Sequence, residues 1–234
     1  RRQRQMCIRD RLLGELGITV DAYVESIGPV SISMDRFNLE EARRNPTGMP
    51  DAEASAQAEE YLQKCIENQD SAGGVVSCKV HGMPAGIGEP VFDKLDACLG
   101  QAVMSIGAVK AFAVGDGCEV SKKNGSTNND AFCNVNGQIS KKTNHAGGIL
   151  GGISDGSDII LRAYFKPTPS IYQKQQTVNQ AGEEIEIQIK GRHDPIVVSR
   201  AVVVVEAMTA VTILDELLRN MTSRLDGIKK FYHK

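Results

Sequence analysis

VVSCKVHGMPAGIGEPVFDKLDACLGQAVMSIGAVKAFAV, residues Val75 to Val114, is the stretch of the chain that decides its fold. Val75 to His81 is rich in β-branched residues and is followed at once by glycines and prolines, which predicts a strand and then a turn. Apolar residues recur at helical spacing from Phe92 to Ile106, and Val109 to Val114 is a second strand-like run. The order strand, helix, strand predicts one layered α+β domain.

Other segments extend the same pattern in both directions. Apolar and polar residues alternate from Ile18 to Ile27, which predicts a strand with one buried face. Asp51 is a suitable N-cap for a helix over Ala52 to Asn68. Two further strands are predicted at Ile159 to Phe165 and around Ile185 to Ile189.

The patterns of two segments are compatible with more than one structure. Ala201 to Arg219 contains four consecutive valines, which favour a strand, but its apolar residues also follow helical spacing, and its length favours a helix. Residues 115–138 are polar and rich in Asn, Lys, Ser and Gly, which predicts a long loop with a functional role or a mobile one.

The composition restricts the class of partner. Hydrophobic residues make up 41% of the 234 residues, charged residues make up 24%, and the formal net charge is -2. These values are typical of a soluble globular protein, and they give no overall attraction to nucleic acid or to an acidic membrane. No apolar run approaches the roughly 20 residues of a membrane-spanning helix. We therefore expect a cytoplasmic protein with no nucleic-acid or membrane partner, in which anion recognition is local.

The cysteines and the N-terminus do not indicate a zinc site, a disulfide scaffold or a secretory signal. Six cysteines contain no C-x-x-C pair and are accompanied by only four histidines, so neither a zinc site nor a disulfide scaffold is indicated, and reduced thiols are expected. Residues 1–11 form a basic run without the apolar stretch of a secretory signal. We interpret residues 1–11 as a non-native leader and residues 12–234 as one domain.

Three segments carry candidate site chemistry. The glycine run Gly147 to Gly152 could bind an anion through its backbone amides or let a flat ligand approach, although it could equally be a tight packed turn. It matches neither the dinucleotide fingerprint nor the P-loop. Lys166, Thr168 and Ser170 form a candidate phosphate clamp on a proline-stiffened strand end, with a solvated strand end as the alternative.

The third segment is Arg192-His193-Asp194-Pro195, which runs directly into the apolar stretch that follows. It offers a planar donor, an imidazole and a carboxylate, but Asp-Pro also starts many solvated turns. Together the three segments supply donors and one carboxylate, without a serine or cysteine triad, paired glycosidase carboxylates or a metal cluster. They indicate an anionic ligand and one acid–base group.

In order and spacing, these segments resemble the C-terminal portion of the chorismate synthase family. The resemblance covers roughly Leu12 to Arg219, and it rests on the following stretches: NHAGGILGGIS at 144–154, KPTPS at 166–170, RHDP at 192–195, EAM at 206–208, PAGIGEPVFDKLD at 84–96 and GDG at 115–117. It implies a layered β-α-β sandwich of the chorismate synthase type, incomplete at its N-terminal side.

The resemblance also implies a reaction. The family removes phosphate from 5-enolpyruvylshikimate 3-phosphate by anti-1,4-elimination, which gives chorismate and requires reduced FMN without net redox change. It further implies a phosphorylated small-molecule substrate, a homotetramer, and flavin reduced by an external or NADPH-dependent reductase.

The implied site residues follow from matching positions. Asp194 matches the family carboxylate near flavin N5, which relays a proton. The matching FMN-binding positions are Gly107, Ala108, Gly151, Lys166, Pro167, Thr168, Pro169, Ser170 and Arg192. His145 and His193 are weaker candidates, each of which could simply orient a loop.

The chain also departs from the family pattern. Ile196 stands where a small residue or cysteine is usual, and the region of Val203 lacks a common proline. The family's N-terminal portion, which contains its substrate-phosphate arginines and mainly its catalytic histidines, has no match here. We therefore expect the fragment alone to be inactive. The alternative is a non-catalytic protein on the same scaffold that binds FMN or a phosphorylated ligand.

Overall fold

A computed structural model describes residues 11–135, 137–189, 191, 194–223 and 225–232. Within these residues the protein combines a five-stranded sheet and three two-stranded sheets with helices, so the α+β class is confirmed. The strands are β1 (Thr19–Ile27), β2 (Val30–Ser31), β3 (Gly74–His81), β4 (Val109–Val114), β5 (Phe132–Val135), β6 (Gln138–Lys141), β7 (Ile149–Leu150), β8 (Ile153–Ser154), β9 (Ile159–Phe165), β10 (Gln175–Val178) and β11 (Glu184–Ile187). The helices are α1 (Leu39–Arg44), α2 (Ala52–Glu67), α3 (Leu95–Met104), α4 (Gly125–Asn128), α5 (Val198–Asn220) and α6 (Leu225–Tyr232).

The large sheet has the strand order β2-β1-β3-β9-β4. Alternate residues of β9 are buried, namely Ile159, Leu161, Ala163 and Phe165, and their neighbours are only half-buried. Val76, Cys78 and Val80 of β3 are also fully buried, and Ser77 between them is buried as well. Because side chains of a strand point alternately to its two faces, one face of the sheet forms the core.

The two long helices begin and end close to the predicted positions. α2 starts after Asp51, whose carboxylate accepts hydrogen bonds from the backbone amides of Glu53 and Ala54, as an N-cap does. α5 is a helix of 23 residues, so length and periodicity outweigh the β propensity of its valines. Val198, Val205 and Ile213 are fully buried along it, which is the stripe of an amphipathic helix.

The prediction that residues 115–138 form one long loop is wrong, because the segment includes short helices and a strand. This segment contains a 3-10 helix (Gly117–Lys122), α4 and β5, and β5 pairs antiparallel with β6. β10, which pairs with β11, was likewise not predicted. These strands are short and mostly exposed, so they lack the alternation that marks a half-buried strand.

The chain divides into two compact units. The larger unit holds the described residues of 11–22, 77–163 and 203–232, and the smaller unit holds 23–76 and the described residues of 164–202. β1, β3 and β9 contribute residues to both. The interpretation of residues 1–11 as a leader and of 12–234 as one domain stays a prediction.

The described part of the chain is informative about metal ligands, membrane-spanning helices and free thiols. It holds no group of three or more metal-ligating side chains, and none of its helices is long and apolar enough to cross a bilayer. Cys65, Cys78, Cys98, Cys118 and Cys133 are free thiols. Burial raises the pKa of Cys78 to about 12, so this thiol stays protonated in the core.

Asp51 also connects α2 to the preceding segment. Its fully buried carboxylate accepts from the Ser33 amide at 2.9 Å and from Nε and Nη2 of Arg36 at 3.0 and 2.9 Å. Burial alone would raise the pKa of Asp51, but the hydrogen bonds from Arg36, Ser33 and Ala54 outweigh it and lower the pKa to about 2. The smaller unit therefore depends on this carboxylate being ionised.

We expect Asp51→Asn to lower the free energy of unfolding by about 2 kcal/mol at pH 7, because one pKa unit corresponds to about 1.4 kcal/mol. A lowered pKa means that this stability is present above the unfolded pKa near 4 and is lost as the pH falls toward 2. Urea unfolding at pH 7 and pH 3 measures both effects. Asp35→Asn, at an exposed position nearby, is the control and should change stability by less than about 0.5 kcal/mol. An unchanged stability of Asp51→Asn at pH 7 would contradict this account.

Candidate ligand-binding site

The glycine run ends in a tight hairpin turn. β7 and β8 pair with Leu150 opposite Ile153, so Gly151 and Gly152 form a two-residue turn. Their φ angles are 62° and 92°. Positive φ at both central positions defines a type I′ turn, which favours glycine. Gly151 is exposed, and no atom lies within 4 Å of the position where its Cβ would be. A flat ligand can therefore approach the backbone at Gly151.

Asp130 holds the segment that precedes this hairpin. Its carboxylate accepts hydrogen bonds from the Thr143 hydroxyl at 2.7 Å, the His145 amide at 2.7 Å and the Ala146 amide at 2.9 Å. Burial disfavours the ionised form, but these three hydrogen bonds outweigh burial and lower the pKa of Asp130. An ionised carboxylate thus fixes the start of the glycine run.

His145 is tied to a second carboxylate, that of Asp116. Its Nδ1 lies 2.6 Å from Asp116 Oδ2, and the Lys123 ammonium also donates to this carboxylate. The hydrogen bond from Lys123 is the main cause that lowers the pKa of Asp116, with burial opposing it and His145 adding to it. In this arrangement His145 anchors the glycine run to the loop after β4.

In the smaller unit, the predicted phosphate clamp follows directly after β9. Lys166 is exposed, and the Ser71 hydroxyl donates to the Thr168 carbonyl at 2.7 Å. The Thr168 hydroxyl is buried and has no hydrogen-bond partner among the described residues. A buried polar atom without a partner costs about 1–3 kcal/mol. An ammonium and an unsatisfied hydroxyl two residues apart suit an anionic oxygen ligand.

Asp194 lies at a small cavity in the same unit. The cavity has a volume of about 170 Å³, and its lining includes Ser71, Ser170, Tyr172 and Asp194. Asp194 Oδ2 accepts a hydrogen bond from Arg200 at 2.5 Å. The carboxylate is half-buried and oriented by a cation, so it combines access to the cavity with a fixed position.

The structure thus brings Ser170 and Asp194 together at one cavity. Gly107 and Ala108 lie in the turn before β4, in the larger unit, as does Gly151. Ala108 has a φ of 71°, which is uncommon for a residue other than glycine and marks a strained turn. Arg192 and His193 lie outside the described residues. The ligand-binding roles of all these residues stay predictions.

Several hydrogen-bond partners of these residues were not predicted from the sequence. Arg200 is six positions after Asp194, in the first turn of α5, and a search for a cation near the carboxylate would have found it. Ser71 and Thr168 are 97 residues apart, so no local signal links them. Asp130 lay in the segment that was assigned to a loop.

A second and larger cavity lies in the larger unit. It has a volume of about 470 Å³ and a mostly polar lining that includes Phe132, Lys141, Asp155 and Ser157. Lys141 and Asp155 form an ion pair there, with side chains only 4% and 8% exposed. The Lys141 ammonium also lies 5.3 Å from the centre of the Phe132 ring. None of the predicted site residues that the structure describes lines this cavity.

The smaller unit of this α+β protein holds an exposed ammonium, an unsatisfied hydroxyl and a carboxylate that borders a cavity, and the larger unit holds an open glycine turn. Comparison with known proteins gives the family. The family model described as Chorismate synthase matches residues 5–218. The chain belongs to the chorismate synthase family.

Individual relatives agree with this assignment. Chorismate synthase of Lachnoclostridium phytofermentans is 59% identical over 224 residues, which is 95% of this chain and 61% of the relative. That of Agathobacter rectalis is 55% identical over 224 residues, with 96% and 61% covered. A solved structure described as "Crystal Structure of Chorismate Synthase" superposes with a TM-score of 0.78 at 26% identity and covers 98% of this chain and 66% of that one. The chain therefore spans about three fifths of the length of these curated relatives.

We expect Asp130→Asn to loosen the start of the glycine run. An amide offers a single acceptor oxygen in place of two, so at least one of the hydrogen bonds to Thr143, His145 and Ala146 is lost. Losing a hydrogen bond to a charged group costs about 1.5–3 kcal/mol, which corresponds to roughly 10- to 100-fold faster amide exchange at His145 and Ala146. Hydrogen exchange followed by NMR measures this rate.

Asp96→Asn is the control for this experiment, because the recorded hydrogen bond of Asp96 is to the next residue in its own helix. It should leave exchange at His145 and Ala146 unchanged. Equal exchange rates in Asp130→Asn and the parent protein would show that Asp130 does not hold this segment.

Proposed function

We propose that this chain supplies the FMN-binding and proton-relay part of a chorismate synthase, which converts 5-enolpyruvylshikimate 3-phosphate to chorismate by eliminating phosphate. The observation that carries the proposal is the match of 59% identity over 95% of the chain to a chorismate synthase. Because the chain covers 61% of that relative, we assign the activity to the chain together with the rest of the family fold and expect the chain alone to be inactive.

The residues present fit FMN as the cofactor. Lys166 and the unsatisfied hydroxyl of Thr168 are suitable donors for its phosphate, and Ser170 extends the same segment. In the larger unit the backbone at Gly151 is open, and Gly151 is proposed as a contact of the flat ring system. Arg192 is proposed as a further donor, and Gly107 and Ala108 as backbone contacts. When bound, reduced FMN supplies electron density to the breaking C–O bond.

Asp194 is proposed as the residue that moves a proton. Its carboxylate faces a cavity and accepts a hydrogen bond from Arg200, so it is held in one orientation. Oδ1 is proposed to accept the proton while the hydrogen bond from Arg200 keeps Oδ2 in place. Phosphate leaves as an anion, and the donors of the rest of the family fold must converge on it for turnover.

The proposed assembly and setting follow the family. We propose a homotetramer that works in the cytoplasm on a phosphorylated small molecule and receives reduced flavin from an external or NADPH-dependent reductase. The composition supports this setting, because a net charge of -2 gives no overall attraction to nucleic acid or to acidic membranes. The rival function, a non-catalytic FMN- or phosphate-binding protein, is not favoured, since the relatives compared above are all described as chorismate synthases.

The activity can be tested by joining this chain to the part of the Lachnoclostridium phytofermentans relative that it does not span. We expect this joined protein to release phosphate from the substrate only when reduced FMN is present. Asp194→Asn should then lower turnover by about 10²- to 10⁴-fold, the usual contribution of a positioned acid–base group. Phosphate release under anaerobic conditions measures both.

Asp70→Asn is a matched control, because Asp70 lines the same cavity and is not proposed to move a proton. Its turnover should stay within a few-fold of the joined protein. A joined protein that folds and binds FMN but never releases phosphate would overturn the proposed activity. Equal turnover in Asp194→Asn and the parent would remove Asp194 from the mechanism.

Thr168→Val tests the phosphate-binding segment. Because the Thr168 hydroxyl has no partner among the described residues, its removal should leave the unfolding free energy of the ligand-free protein unchanged or slightly higher. If this hydroxyl donates to the FMN phosphate, the same change should raise the Kd for FMN by about 10- to 100-fold, as for a hydrogen bond to a charged group.

Urea unfolding and FMN titration of the joined protein measure the two effects. Riboflavin, which lacks the phosphate, is the control ligand, and its Kd should not change. An unchanged Kd for FMN in Thr168→Val would separate this hydroxyl from the cofactor.

A further inference from the structure

Lys94 packs against the turn that is proposed to contact the cofactor. A Cβ on Gly152 would lie 2.4 Å from Cγ, 2.6 Å from Cβ and 2.9 Å from Cδ of Lys94. The amide of Leu95, the next residue, donates to the Gly152 carbonyl at 2.8 Å. The aliphatic stem of Lys94 therefore runs directly over Gly152, and both groups belong to the larger unit.

The backbone around Lys94 is fixed on both sides. Before it, Phe92 has a φ of 60°, the Asp93 amide donates to the Val91 carbonyl at 2.8 Å, and the Glu89 amide donates to the Asp93 carbonyl at 3.2 Å. After it, Leu95 is fully buried at the start of α3. The position of the Lys94 stem over the turn is thus set by the fold around it.

The ammonium of Lys94 is available for a ligand. The neighbouring carboxylate of Asp93 accepts a hydrogen bond from Arg219 at 2.6 Å, and that of Asp96 accepts from the Ala97 amide at 3.1 Å. No ion pair of Lys94 is recorded within the part of the chain that the structure describes, and the residue is exposed. Its stem is ordered by packing while its charge has no protein counter-ion there.

The two glycines of the turn have different surroundings. Gly152 is buried beneath Lys94, whereas the Cβ position of Gly151 is open to at least 4 Å. The Lys94 ammonium is two bonds beyond the Cδ that lies against Gly152, so it is within reach of a flat ligand bound at the neighbouring Gly151. A cation near the ring edge of a flavin is one of the groups by which a protein changes the redox properties of that cofactor.

We propose that Lys94 is a further cofactor-binding residue, which pairs with the negative charge of the reduced flavin bound at the Gly151 turn. This inference rests on the proposed function. Reduced flavin carries a negative charge on its ring and oxidised flavin does not, so the ammonium binds the reduced form more tightly. Lys94 thereby stabilises the redox state of the cofactor that the reaction needs.

The test uses the joined protein and two variants that separate charge from packing. Lys94→Met keeps an unbranched stem over Gly152 and removes the charge, whereas Lys94→Arg keeps the charge. We expect Lys94→Met to raise the Kd for reduced FMN about tenfold and to change the Kd for oxidised FMN by less than about threefold. For a two-electron couple, a tenfold change in the ratio of the Kd values for reduced and oxidised FMN shifts the midpoint potential by about 30 mV. The midpoint potential of bound FMN should therefore fall by about 30 mV in Lys94→Met and stay near the parent value in Lys94→Arg.

Lys64→Met is the matched control, since it removes an exposed lysine charge from α2 and should leave the potential unchanged. Circular dichroism establishes that each variant is folded, and Lys94→Gln replaces Lys94→Met if the latter does not fold. An unchanged potential in Lys94→Met or its substitute Lys94→Gln, or equal weakening of the binding of oxidised and reduced FMN there, would overturn this inference and leave the proposed function standing. Failure of the parent joined protein to bind FMN at all would overturn the proposed function itself.

Discussion

The alternation of buried and half-buried residues along β9 is the constraint on which the rest of the structure depends. Ile159, Leu161, Ala163 and Phe165 all face the core, so a shift of one residue would turn every one of them to the other face of the sheet. β9 starts a few residues after the glycine hairpin and ends at Phe165, directly before Lys166. Its register therefore fixes where both segments leave the sheet.

The candidate site depends on carboxylates that are already satisfied by the protein. Asp116, Asp130 and Asp155 each accept hydrogen bonds that overcome the penalty of burial and lower their pKa values. They hold loops in place, because their oxygens already accept hydrogen bonds from the protein. Asp194 differs, because it borders a cavity and, among the residues that the structure describes, its side chain accepts a hydrogen bond from Arg200 only. This contrast separates the carboxylates that build the site from the one suited to act in it.

The sequence predicts the elements whose burial follows a simple period. The predicted bounds lie close to the observed ones for β1, β3, β9 and α2. α5 is a helix as predicted, because its length outweighs the strand propensity of four consecutive valines. β11 was predicted from the alternation of Ile185, Ile187 and Ile189, whereas the pair β5–β6 and the strand β10 could not be predicted, since these strands are mostly exposed and no period of burial results. The site shows the same division. Its glycine turn and the Lys166 segment are visible as local patterns, whereas the hydrogen bonds of Asp130 and Ser71 join distant positions through the fold.

The ion pair between Lys141 and Asp155 bears on how this protein responds to temperature. Both side chains are almost completely removed from water, so salt screens their attraction much less than that of an exposed pair. The free energy of hydrating separated charges becomes less favourable on warming, while apolar burial gains little more. The end of β6 and the residue after β8 are thus joined by an interaction whose desolvation cost falls on heating, whereas the apolar contacts around it gain little. The base of the glycine hairpin that includes β8 is therefore held by an ion pair whose desolvation cost falls as the temperature rises.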